Sequence, residues 1–168
     1  ISAYYASVNH SKRTSLVDFT NREELALIKE EIRTADIVIS NFKKGSALKF
    51  GLDFDSLCQL NSTIISGEIN GYPQNSRPAF DVVLQAETGF LSMSGTAAGE
   101  LVKMPVALID VLAAHQLKEG LLVAYLQQSS DGKSKRVRVS LYEAALASLV
   151  NQSANYLMAQ HIPKPMGT

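Results

Sequence analysis

The sequence holds one cysteine, Cys58, no net charge and no long apolar run. A single thiol excludes an intrachain disulfide framework and any Cys-rich metal cluster, and leaves Cys58 to read as a half-buried small apolar residue. The 16 Lys and Arg residues balance 16 Asp and Glu, so no partner held by bulk electrostatics is expected, neither a nucleic-acid backbone nor an anionic membrane. A small, localised anion site stays compatible with that balance. No apolar stretch approaches the roughly 18 residues of a membrane span. The start, ISAYY, has neither the basic region of a signal peptide nor an initiator Met, and both ends read as the interior of something longer. His10, His115 and His161 lie far apart and make no metal-ligand spacing. Gly95 and Gly99 are not followed by the Gly-Lys-Ser/Thr of a phosphate loop, and the Gly-x-Ser-x-Gly of a serine hydrolase is missing. Repeats and low-complexity stretches are also absent.

What remains is an ordinary globular composition. At 168 residues, 46% hydrophobic and 19% charged, the chain can bury a sizeable core as one domain or a large piece of one. Residues 14–19 read as a short strand. Asn21 and the acids Glu23 and Glu24 then form a helix-start signature, with Leu25, Ile28 and Ile32 at helical spacing behind it. The run Asp36-Ile37-Val38-Ile39 is typical of a strand buried in a parallel sheet. Short helices are expected over 46–50 and 54–60, a β-branched strand over 63–69, and an exposed loop over 71–78. Residues 81–91 read as helix and 94–99 as a loop. Residues 110–128 form the longest helical pattern, apolar on most sides and so expected to be buried. Residues 135–140 alternate basic and apolar as a strand with one wet face, and 141–159 read as a second long helix. Strands alternating with helices imply a Rossmann-like α/β fold, a mostly parallel sheet flanked by helices.

Three places can carry chemistry. Asn41-Phe42-Lys43-Lys44-Gly45 follows a buried strand, and ligands of open α/β sheets settle outside the carboxyl ends of strands. An amide, an aromatic face and two ammonium groups can hold an aromatic base and phosphates there. A solvated basic turn is the alternative. Asp110 stands between two apolar runs, where an unpaired buried acid is costly. It reads either as a helix N-cap or as a carboxylate nucleophile or base at a helix mouth. Asp81 opens another apolar helix, where plain capping is expected.

The order of these pieces resembles a known family. NHSKRTSLVD (9–18), ADIVISNFKKG (35–45), LKFGLD (48–53), RPAFDVVLQAETG (77–89), PVALID (105–110) and VRVSLYEAA (137–145) follow one another as in the family III CoA-transferases. That family includes formyl-CoA transferase, the carnitine and bile-acid CoA-transferases and the α-methylacyl-CoA racemases. The resemblance covers essentially the whole chain.

The resemblance implies that residues 1–168 are part of the large, CoA-binding domain of a fold whose full members are interlocked dimers. A small second domain and an amino-terminal strand-helix unit would lie outside this segment, and the segment alone would be inactive. It also implies that Asp110 is the catalytic aspartate, passing CoA from an acyl-CoA donor to a carboxylic acid through an aspartyl anhydride and an aspartyl-CoA thioester. Asn41 and Phe42 match residues lining the CoA site, Val17 a backbone position around the adenine, and Lys49 a position where relatives place an arginine near the phosphates. Arg77 sits near another basic position of that kind. Coenzyme A enters as a substrate, with no permanently bound cofactor, no metal, no nucleic acid and no membrane. The CoA pool suggests a cytoplasmic enzyme. Racemases of the family place a His before the aspartate that matches Asp81. Here that residue is Phe80, which cannot exchange a proton, so transfer is favoured over epimerisation. A third reading is a truncated segment that binds CoA weakly or not at all.

Overall fold

The computed structural model describes residues 2–43, 45–96 and 98–165. Lys44, the second lysine of the basic turn, and Ala97, in the 94–99 loop, lie outside the described residues. The chain opens with α1 (Ala3–Asn9), then α2 (Arg22–Thr34), β1 (Ile37–Ser40), α3 (Ser46–Phe50) and α4 (Phe54–Leu60). It continues through β2 (Ile65–Asn70), α5 (Asp81–Glu87), α6 (Phe90–Met93) and α7 (Leu108–Asp131). It closes with β3 (Lys135–Ser140), α8 (Leu141–Ala147) and α9 (Asn151–Ala159).

The strands form a three-stranded sheet in the order β1-β2-β3. Both pairings are parallel, with Ile37 beside Ile65 and Ile65 beside Lys135. Parallel strands need crossovers, and helices supply them here, as expected of an α/β fold. One sheet face packs α2 and α4 through Ile32, Leu52, Leu57 and Ile64, with Val38, Phe19, Phe42 and Phe50 against them. The opposite face packs α7 through Ile65, Leu117, Leu121 and Ala124, with Val137 and Val139. Two glycines set how close α7 lies. A Cβ on Gly67 would come within 3.2 Å of Leu121 Cδ2, and one on Gly120 would stand 2.6 Å from Val137 Cγ1. A third cluster of Tyr72, Leu84, Ile109 and Ala145 joins α5, the start of α7 and α8.

Local signals explain most element starts. The Asn21 side chain accepts from the Glu23 and Glu24 amides, and both acids sit in the first turn of α2. Ser140 ends β3 and caps α8 by accepting from the Glu143 amide. Cys58 is half-buried, its thiol directed at Ser134 Oγ 3.2 Å away.

Several expectations need correction. Residues 14–18 form no regular element and Phe19 lies in a turn, so the expected strand belongs to no ladder. Leu16 is 100% exposed, and only Phe19 reaches the core, because a β-branched pattern makes a strand only where an edge is paired with it. The helix expected over 81–91 breaks at Thr88 and Gly89, where the Thr88 hydroxyl donates to the Leu84 carbonyl at 2.6 Å and Gly89 takes φ +90°. The one expected over 141–159 breaks between α8 and α9, where Val150 adopts φ +46°. Helix α7 is longer than expected at both ends. Its outer flank, with Leu122, Val123, Tyr125 and Leu126, is exposed, so the helix is buried on one side only. Helix α1 was not foreseen; Ser2 caps it by accepting from the Tyr5 amide. No helix among the described residues is long and apolar enough to cross a membrane.

Candidate functional site

β2 and β3 end together at Asn70 and Ser140, β1 ends two residues earlier with Ser40 beside Glu68, and grooves open beyond those ends. One, of about 370 Å³, is lined by Asn41, Phe42, Asn70, Asn75, Arg77 and Phe80 among others. A second, of about 400 Å³, shares Phe42, Lys43, Asn70 and Asn75 with it and adds Arg136 and Arg138. The two grooves therefore adjoin across the top of the sheet and mix polar with apolar lining. An apolar hollow of about 610 Å³, lined by Met93, Leu146, Leu149, Tyr156 and Leu157 among others, takes in none of the residues singled out from sequence.

Asn41, Phe42 and Arg77 thus share one groove. The Phe42 ring is also a core element, edge-on to Phe19 at 5.5 Å between centroids and 6.2 Å from Phe50. Arg77 lies over the Tyr72 ring, 4.5 Å from its centroid, and pairs with Glu87, which also accepts from the Tyr72 hydroxyl at 2.7 Å. Arg136 is neutralised by two hydrogen bonds to Glu68, at 2.9 and 3.0 Å. Lys49 and Val17 line neither groove. Lys49 is on the last turn of α3, with Nζ 5.7 Å from the Phe50 centroid, and Val17 is half-buried in the irregular segment before α2.

The two acids meet. Asp110 is the third residue of α7, whose N-cap is Ala107, a residue with no side chain able to cap. Asp110 is therefore not the N-cap. That work falls to Asp81, which was expected to cap its own helix. Asp81 Oδ2 accepts from the Ile109 amide at 2.6 Å and from the Asp110 amide at 3.2 Å. Two of the orphan donors at the start of α7 are thereby satisfied from another helix. The other Asp81 oxygen accepts from the Gln85 side-chain amide. Sequence reading missed Gln85. The available signal was the i, i+4 spacing of Asp and Gln, which places both on one helix face.

The Asp110 carboxylate accepts no hydrogen bond among the described residues. Although the residue is exposed, packed neighbours strip water from its carboxyl, and the Asp81 carboxylate adds like-charge repulsion. Both push its pKa above the ordinary 3.8, desolvation more strongly. Asp110 lines none of these grooves; it is tied to the groove wall only through Asp81, which follows the lining residue Phe80 and accepts the Asp110 amide. No group of His, Cys, Asp and Glu able to hold a metal occurs among the described residues.

A parallel α/β sheet with grooves beyond its strand ends is the arrangement in which open α/β folds place their ligands. Comparison with known proteins gives the family: the model of CoA-transferase family III matches residues 1–168, and the chain belongs to that family. It is 32% identical over 99% of its length to succinate–glutarate CoA-transferase of Agrobacterium fabrum. It is 28% identical over 99% of its length to human succinyl-CoA:glutarate CoA-transferase. A CaiB/BaiF family protein from Brucella suis superposes with a TM-score of 0.88 at 31% identity, over 93% of this chain and 42% of that one. The chain spans 42% of the Agrobacterium relative and 39% of the human one.

Proposed function

We propose that the protein containing this chain is a CoA-transferase that moves CoA from an acyl-CoA donor to a carboxylic acid, with Asp110 as the nucleophile. An Asp110 oxygen attacks the thioester carbonyl, the carbon–sulfur bond breaks, and CoA leaves as the thiolate with an aspartyl anhydride behind it. The thiolate attacks the aspartyl carbonyl, releasing the donor acid and forming an aspartyl-CoA thioester. The acceptor carboxylate attacks that thioester, giving a new anhydride and freeing CoA thiolate again. Thiolate attack on the new acyl carbonyl releases the product acyl-CoA and restores the Asp110 carboxylate. Covalent relay splits one difficult exchange into easier displacements.

The observation that carries this reading is the state of Asp110: its backbone is held by Asp81 while its carboxylate has no donor among the described residues. A carboxylate stripped of hydrogen bonds and partly of water is a stronger nucleophile than a solvated one. The CoA chain would run along the groove past Asn41, Phe42 and Arg77, with Lys49 and Val17 toward its nucleotide end. Phe80, 68% exposed in the groove wall, offers no proton for epimerisation. The full-length protein is further proposed to be an interlocked homodimer, which light scattering would test.

The test is mass spectrometry of the full-length protein after incubation with a panel of acyl-CoAs, succinyl-CoA and glutaryl-CoA included because the relatives' names contain those acids. An adduct on the peptide bearing Asp110, lost in Asp110→Asn, is expected. Transfer activity surviving in Asp110→Asn would refute the assignment.

A further inference from the structure

We infer that Gln85 is a positioning residue for the Asp110 nucleophile, holding Asp81 in the orientation that fixes the start of α7; this rests on the reading of Asp110 above. Gln85 is 1% exposed and follows Leu84, a member of the cluster that joins α5 to α7. A buried amide is costly unless both its ends are bonded, and both are. Its Oε1 accepts from the Met104 amide at 2.9 Å and its Nε2 donates to Asp81 Oδ1. A backbone N–H can only donate, so the amide cannot flip: oxygen toward Met104 forces nitrogen toward Asp81.

The consequence reaches Asp110. With one Asp81 oxygen held by Gln85, the other faces the Ile109 and Asp110 amides. The Gln85–Asp81 pair therefore grips residues 104–110 at both ends, at Met104 and at the first turn of α7. Ala107 supplies no side-chain cap of its own, so this pair determines where the first turn sits. Gln85 touches no reacting atom. Its effect is on geometry, where a misplacement of about 1 Å costs on the order of 100-fold in rate.

The test uses the full-length protein and reads single-turnover adduct formation on Asp110 together with steady-state transfer. Gln85→Met keeps length and removes both hydrogen bonds. It is expected to slow acylation and kcat by about 10- to 100-fold while KM for acyl-CoA stays within about twofold. Gln85→Glu still accepts from Met104 but can donate to Asp81 only when protonated. Its rate relative to wild type is expected to rise as pH falls from about 8 to about 6, because burial beside Asp81 raises the new carboxyl's pKa. A purely structural role would lower the yield of folded enzyme without that pH response. An unchanged acylation rate in Gln85→Met overturns the inference while leaving Asp110 as nucleophile. Should Gln85→Met fail to fold, a flat pH ratio in Gln85→Glu overturns it. An adduct that forms elsewhere and survives Asp110→Asn removes both this inference and the reading it rests on.

Discussion

Asp81 and Asp110 are 29 positions apart in sequence, yet one Asp81 oxygen accepts the Asp110 backbone N–H at 3.2 Å. The same contact fixes the main chain of one acid and brings a negative charge beside its side chain. Attraction to the backbone and repulsion of the carboxylate act together, so the two consequences can be separated by substitution.

Asp81→Asn keeps an oxygen for the α7 amides and removes the charge. The Asp110 pKa is expected to fall toward its ordinary value, though not all the way, since desolvation is the larger cause. Carboxyl carbon NMR titration of Asp110 reads this directly. Asp81→Ala removes the cap, about 1 kcal/mol, and also leaves the buried Gln85 Nε2 without its acceptor, about 1–3 kcal/mol more, so a total loss of about 2–4 kcal/mol is expected on thermal or chemical denaturation.

Asp110→Asn should stabilise the protein at neutral pH. The folded-state pKa is raised, so the ionised form is the disfavoured one in the fold. Below the unfolded pKa of about 3.8 the carboxyl is protonated in both states and no penalty exists. Stability is lost as pH rises through the folded pKa. The variant's gain is therefore expected at about pH 7 and absent below about pH 4. Exposure to solvent keeps it under about 1 kcal/mol. Thermal melts at the two pH values check the sign.

Arg77 is already engaged by Glu87, which limits what it can give a phosphate. Arg77→Ala is expected to weaken CoA binding about tenfold, near 1.4 kcal/mol. Glu87→Gln keeps an acceptor for the Tyr72 hydroxyl but releases the guanidinium. It should tighten CoA about twofold or more at low salt, with the gain shrinking as salt screens it. Calorimetry at two ionic strengths distinguishes these outcomes.

Gly120→Ala ought to help an isolated helix by about 1 kcal/mol. Here the new Cβ would stand 2.6 Å from Val137 Cγ1, so a net loss of about 1–3 kcal/mol is expected from overpacking. Chemical denaturation measures it.

Much of this architecture is legible in the sequence. The β-branched runs around Ile37, Ile65 and Val137 identify the sheet, and Asn21 with its two acids marks a helix start, because these signals are local. Residues 14–19 have the same local pattern but no partner strand, which only the tertiary arrangement reveals. The break before α9 is invisible for the opposite reason: Val150 is a β-branched residue at positive φ, a conformation that its own preference disfavours. At the candidate site, Asn41 and Phe42 stood out because they follow a strand, and Arg77 through the family resemblance; the structure brings the three to one groove. The Gln85–Asp81–Asp110 arrangement was not, since it joins two helices through side chains whose meeting depends on how those helices cross.

The absence of a side chain at Gly120 has a mechanical meaning as well. Asp110 lies ten residues up the same helix, about 15 Å along its axis at 1.5 Å per residue. Rotating the rod by about 4° on the Gly120–Val137 fulcrum would swing the far tip by about 1 Å, the scale at which reactive geometry is lost. A hydrogen atom in the middle of the helix thus acts as the pivot pin for an oxygen at its end, and a substitution ten residues away can displace the proposed nucleophile by leverage alone.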